Sequence, residues 1–425
     1  MSASAFTFPL KPEQVRLNPI DLATVSSRAA KAVPLGLVLM AVGMATSVIV
    51  RGCTLPQAVL ELLLAYLVAF CYFTYFALGA LVLLMIQYLT GGHWGLVMRR
   101  VLEAGTRMIV YIPLFWLPVA AGAWSGILYE WTHPGTDPVL LQKAAYLNLP
   151  FWTVRSILYF VLWYGLAARL NRLSKLHDET GDHTILNKLR TTSGPGIVLY
   201  GLSVTFASVD WLMSLEPHWY STIYPAVQAI GQILGALSLS TAVVVLLARF
   251  RPMSDILRKR HMHDYGKFML GFTMFWAYVN VSQFLIIWAG NLPEEIPWYL
   301  TRLKEGWQVQ GAAIIAFHFV VPFLLLLSQD LKKNPRSLVF MAFWIIAVRY
   351  IDLHYAIVPS SAVHFAHSDV ANKLTGWRFG FLDIGAMLAV GGVWTTLYLR
   401  ELAARPLLPV NDPYLEEALS DHGSH

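Results

Sequence analysis

Apolar stretches close to twenty residues long recur from near the start of this 425-residue chain to near its end, and no other feature constrains its folding as strongly. At ~1.5 Å per residue each can cross a hydrocarbon core of ~30 Å as a helix, where the backbone must satisfy its hydrogen bonds within its own turns. Windows of this length place helices near 34–50, 58–88, 104–124, 150–169, 194–214, 221–249, 266–289, 308–328, 338–358 and 380–399. The expected fold is an all-α polytopic membrane protein of about ten transmembrane helices. A composition that is 56% hydrophobic and 13% charged agrees with that class and argues against a soluble enzyme.

Residues 1–33 read as a polar N-terminal segment without an apolar core or cleavage site of the secretory kind, residues 34–400 as the membrane domain, and 401–425 as a C-terminal tail. Most of the 31 Lys and Arg residues fall in the N-segment, the tail and the loops after helices 2, 4, 6 and 8. The loop "RFRPMSDILRKRHMHDYGK" (249–267) is basic, whereas "LEPHW" (215–219) has no Lys or Arg. The positive-inside rule therefore makes both termini cytoplasmic. The excess of base reports topology, so no nucleic-acid partner is expected. The tetrapeptide LGAL at 78–81 and again at 234–237, with one aspartate each in helices 5 and 9, suggests two four-helix bundles, helices 2–5 (58–214) and 6–9 (221–358), with helices 1 and 10 peripheral.

With that orientation the polar side chains gather toward the non-cytoplasmic side. Asp210, Asn280, Gln283, Asp352 and His354 fall in the outer halves of their helices, Glu61 and Asp383 near outer ends, and Glu216 and His218 in the loop after helix 5. Glu61, Asp210, Glu216, His218, Gln228, Gln232, Asn280, Gln283 and Asp383 are thus candidates for an outer polar layer facing a quinol headgroup, with chain ends and helix–helix hydrogen bonds as the structural alternative. Near mid-membrane stand His318 and Arg349. Arg349 and Asp352 share a helix face at i and i+3 and can pair. His318, Arg349, Asp352 and His354, with Asp210, form candidates for a proton path, because buried imidazoles and carboxylates exchange protons once their surroundings shift them. Glu103 and Arg107, four residues apart, read as a pair at an inner entrance.

No catalytic residue is expected, since there is no phosphate loop, nucleophile elbow or H-E-x-x-H pattern. The two cysteines, Cys53 and Cys71, form no C-x-x-C or C-x-x-C-H, so no covalent haem, iron–sulfur or thiolate metal site is expected. His318 and His354 differ in depth by roughly 10 Å at ~1.5 Å per residue, which disfavours a bis-histidine haem.

The segments "FASVDWLMSLEPHWYSTIYP" (206–225) and "TGGHWGLVMRRVLEA" (90–104), with the basic N-segment and ten helices, resemble the ActF family. These are membrane subunits of bacterial alternative complex III, the quinol:cytochrome c (or copper-protein) oxidoreductase, distantly similar to NrfD and polysulfide-reductase anchors. The resemblance covers about residues 30–405. It implies a non-redox-centre subunit with a possible menaquinone or ubiquinone site. It also implies an ActC-like paralogous membrane subunit, a periplasmic iron–sulfur subunit, multihaem and monohaem cytochromes c and small membrane subunits as partners. Haem and iron–sulfur clusters would belong to those partners. The alternatives from the residues alone are a secondary transporter with a midplane polar site, and a purely structural membrane scaffold.

Overall fold

The computed structural model describes residues 19–250, 253–360, 378–409, 411, 412 and 415. Every apolar window is helical, and the protein is an all-α polytopic membrane protein with ten long apolar spans and no strand among the described residues. The spans are α1 (Leu22–Val50), α2 (Leu55–Thr90), α3 (Trp94–Trp124), α4 (Leu149–Thr180), α5 (Thr184–Leu215), α6 (Tyr224–Leu247), α7 (Lys259–Gly290), α8 (Trp307–Leu327), α9 (Pro335–Ser360) and α10 (Phe381–Ala403). Successive spans alternate in direction. The loop around Glu216 therefore lies on one face of the slab, and Glu103 lies near the other.

Three boundaries differ from the sequence expectation. The first helix starts at Pro19, inside the segment expected to be a polar arm, because proline suits the first turn and the helix then runs on through Pro34. The third starts at His93 rather than near 104. The stretch between the fourth and fifth windows is a helical hairpin, not a loop. Leu170, Ser174 and His177 recur every three or four residues and are buried, with Asn171 beside them, so an amphipathic stripe extends α4 beyond its apolar window, and Gly181 turns the chain at φ +67°.

The central element is α2. Glu61 is its one charged residue, and its most apolar window is entirely buried by protein. It packs along α6, and α9 and α10 lean on it; α3 and α5 also flank α2, while α7 and α9 flank α6, and α1 lies along α10. Because lipid offers no hydrophobic gain over protein, such contacts rely on close backbone approach. Gly36 of α1 rests on the backbone of Gly385 and Ala389 in α10. Gly79 does the same between α2 and α6, where an added Cβ would lie 2.1 Å from the Gln232 carbonyl oxygen. Gly79→Val should force α2 from α6 and abolish the monodisperse protein peak in mild detergent, whereas a substitution at open Gly201 should leave that peak intact.

Candidate functional site

The buried acids Asp210, Glu216 and Glu61 at the Glu216 face do not form one shared layer; each is met by different arginines. Asp210 is fully buried and accepts two hydrogen bonds from Arg155 of α4, both 2.8 Å, and one from the Tyr159 hydroxyl at 2.7 Å. Glu216 accepts from Arg302 at 2.9 Å and from Ser360 at 2.8 Å. Glu61 accepts from Ser47 at 2.6 Å and is bridged by Arg51 and Arg378. His218 lies apart from these on the surface, 2.6 Å from Asp137. Burial pushes the Asp137 carboxyl up, but the His218 bond and the backbone N–H groups of Val139 and Leu140 outweigh it and leave it below the ordinary range.

Gln228 and Gln232 tie helices together, accepting from Tyr75 of α2 at 3.0 Å and Tyr200 of α5 at 2.7 Å. Asn280 turns back on its own helix, donating to the Trp276 carbonyl at 2.8 Å. Gln283 is buried with its carbonyl oxygen unpartnered.

At the opposite face the expected Glu103–Arg107 pair is absent. Glu103, fully buried, accepts from Arg100 at 2.7 Å, Ser174 at 2.6 Å and Tyr88 at 3.3 Å, with Arg405 at 3.5 Å. Arg100 also holds Asp178. Arg107 points elsewhere, to Glu401 of α10 at 2.9 Å and Asn171 at 3.1 Å. The local i,i+4 pair gives way because tertiary packing offers each group a closer or better-enclosed partner.

Two polar clusters in the second half of the chain are less fully matched. In mid-membrane, Arg349 donates to Asp352 as the i,i+3 spacing predicts, and His318 Nδ1 lies 3.9 Å from the same carboxylate. His318 is fully buried with neither ring nitrogen hydrogen-bonded, its ring 3.9 Å from that of Trp276. It sits on a π-helical turn, Ile315–Val320, inside α8. Single π-turns within α-helices recur at functional positions.

The second cluster joins α8, α9 and α10. Gln310 Nε2 donates to the Ile351 carbonyl at 2.9 Å and lies 3.2 Å from His354 Nδ1. His354, also fully buried, has Nε2 3.4 Å from Asp383, whose other oxygen caps α10 through Gly380 N–H at 2.9 Å. Gln310 lines a cavity of ≈ 410 Å³ with Gly306, Val309, Ala313, Ile351 and Phe379. Val309, Ile351 and Phe379 are exposed, so the cavity opens sideways onto the apolar surface that meets lipid.

Of the sequence-derived candidates, the structure thus brings together Arg349, Asp352 and His318, and separately His354 and Asp383. Asp210, Glu216, His218 and Glu61 stand apart from both groups. Sequence reading missed Arg155, Arg302, Arg378, Arg100, Asp178 and Gln310. The arginines near window ends look like ordinary interface residues, and apart from the Arg100–Glu103 contact their acidic partners are distant in the chain. A usable signal was present for Gln310, a polar residue in the same apolar run of α8 that carries His318. No family model and no curated protein matches the chain.

Asp210→Asn keeps the shape of the side chain but leaves Arg155 buried without its counter-charge, a loss of about 3–5 kcal/mol for such a pair. Its thermal unfolding midpoint in detergent should fall clearly below wild type; an unchanged midpoint would show that the pair does not hold α4 to α5.

Proposed function

We propose that the chain is a membrane subunit of a quinol-oxidising respiratory complex of the alternative complex III kind, and that it receives a quinol headgroup and its protons. The observation that carries this reading is the lipid-open cavity lined by Gln310, which backs onto His354 and, behind it, Asp383. A volume of ≈ 410 Å³ with apolar walls and one convergent polar end suits an amphiphile entering from the bilayer. Bound quinol would supply two electrons and two protons on oxidation to quinone. Gln310 orients the polar end, His354 offers an imidazole behind it, and Asp383 provides the carboxylate that stabilises a protonated His354. Trp307 and Phe379 flank the imidazole, at 5.7 and 5.4 Å between ring centres, and keep water from its faces. The electrons pass to the iron–sulfur and haem centres that the resemblance implies in partner subunits.

A second role in the same chain is favoured by His318. Its unpartnered nitrogens on α8, beside the Arg349–Asp352 pair of α9, form a titratable group in mid-membrane and suit transfer of protons between the faces. In a bacterial inner membrane the loop 251–265 would be cytoplasmic and the loop 215–220 periplasmic.

His354→Gln should lower quinol oxidation by the purified complex about a hundredfold or more, the scale of general acid–base contributions. Val309→Trp, which narrows the cavity from its exposed wall without removing a buried polar group, should raise the KM for quinol. Wild-type turnover and KM in both assembled variants would favour a scaffold.

Orientation is checked independently with Asp255→Cys and Tyr220→Cys in a chain lacking Cys53 and Cys71. An impermeant thiol reagent applied from the periplasm should reach position 220 and not 255, and the reverse pattern overturns the assignment.

A further inference from the structure

We infer that Gly231, in α6, is the positioning residue for the Arg349–Asp352 pair, an inference that rests on the reading of that pair as a proton-handling group. A glycine inside a helix is less favourable than an alanine, so its presence calls for a reason. Conformation is not that reason, because Gly231 lies within the regular helix and shows no positive φ. Space is the reason. An added Cβ would lie 2.3 Å from Nη2, 2.5 Å from Cζ and 2.8 Å from Nη1 of Arg349. Three of the four guanidinium heavy atoms, all but Nε, thus leave no room for a methyl group, and the head of Arg349 is seated on the α6 backbone at that point.

The neighbouring positions could not supply the seat. Gln228 and Gln232 are committed to Tyr75 and Tyr200, and the space above Gly235 belongs to Phe76, 3.4 Å from where a Cβ would be. Arg349 reaches Asp352 through Nη1, one of the atoms a Cβ would displace, and Asp352 in turn stands 3.9 Å from His318. Gly231 therefore sets the place of the cation, and through it the carboxylate and its separation from the imidazole. A planar head with donors in fixed directions is sensitive to such a shift in a way that a lysine ammonium is not.

What must yield in Gly231→Ala is the end of a long side chain rather than backbone, so the variant should fold. In the full-length chain in detergent, the infrared carboxylate band that disappears in Asp352→Asn should shift in Gly231→Ala. In the assembled complex in proteoliposomes, Gly231→Ala should lower the rate of proton release during quinol oxidation about tenfold. Gly231→Ala/Arg349→Lys should differ from Arg349→Lys by less than about twofold, since the planar head that meets the Cβ is gone. An unshifted band, or a loss that adds in full to that of Arg349→Lys, overturns the inference. A shifted band with wild-type proton release in both Gly231→Ala and Arg349→Gln instead overturns the proton-handling reading and leaves the positioning of the pair standing.

Discussion

Burying a carboxylate in a membrane protein costs several kcal/mol unless a counter-charge and hydrogen bonds meet it, and most of the interior of this protein is organised around meeting that cost with arginine. Asp210 with Arg155, Glu216 with Arg302, Glu61 with Arg51 and Arg378, Asp178 with Arg100, and Asp412 with Arg99 all join separate segments of the chain. Arginine suits the task because its planar fork can meet both oxygens of a carboxylate, as Arg155 does with Asp210. These pairs lie toward the two ends of the spans, where they clamp helices whose middles touch through small residues such as Gly79.

Against that background the two buried histidines of α8 and α9 differ in kind. His318 has no hydrogen-bond partner, and His354 meets Asp383 at 3.4 Å without a formed hydrogen bond at Nε2. An incompletely satisfied polar group is expensive in low dielectric, and it persists where the surrounding fold over-determines it. The π-turn that carries His318 and the cavity that reaches Gln310 fall in the same part of the molecule. Structural economy would place a satisfied or apolar residue at both sites, so their coincidence directs the functional reading to α8 and α9 rather than to the more strongly charged Glu216 face.

Long-range placement also explains why the polar residues near Glu216 mislead a reader of the sequence. Asp210, Glu216 and His218 are close in the chain, yet Asp210 turns to α4, Glu216 to the Arg302 segment, and His218 to Asp137 at the surface. Proximity along a loop does not make a site when each side chain leaves the backbone in a different direction.

The spans, their alternation and the Arg349–Asp352 pair were legible in the sequence because each depends on local information: about twenty apolar residues suffice to cross hydrocarbon, and i,i+3 residues share a helix face whatever surrounds them. Only the tertiary structure decided which arginine meets which acid, that Glu103 turns to Arg100 instead of Arg107, that Gln310 backs onto His354, and that Gly231 is a seat for Arg349. Hydropathy records that a residue avoids water, but a charge pair between helices is selected by rotation about the helix axis and by the neighbour that packing brings within ~3 Å. Those are properties of the assembled bundle, and no window along the chain contains them.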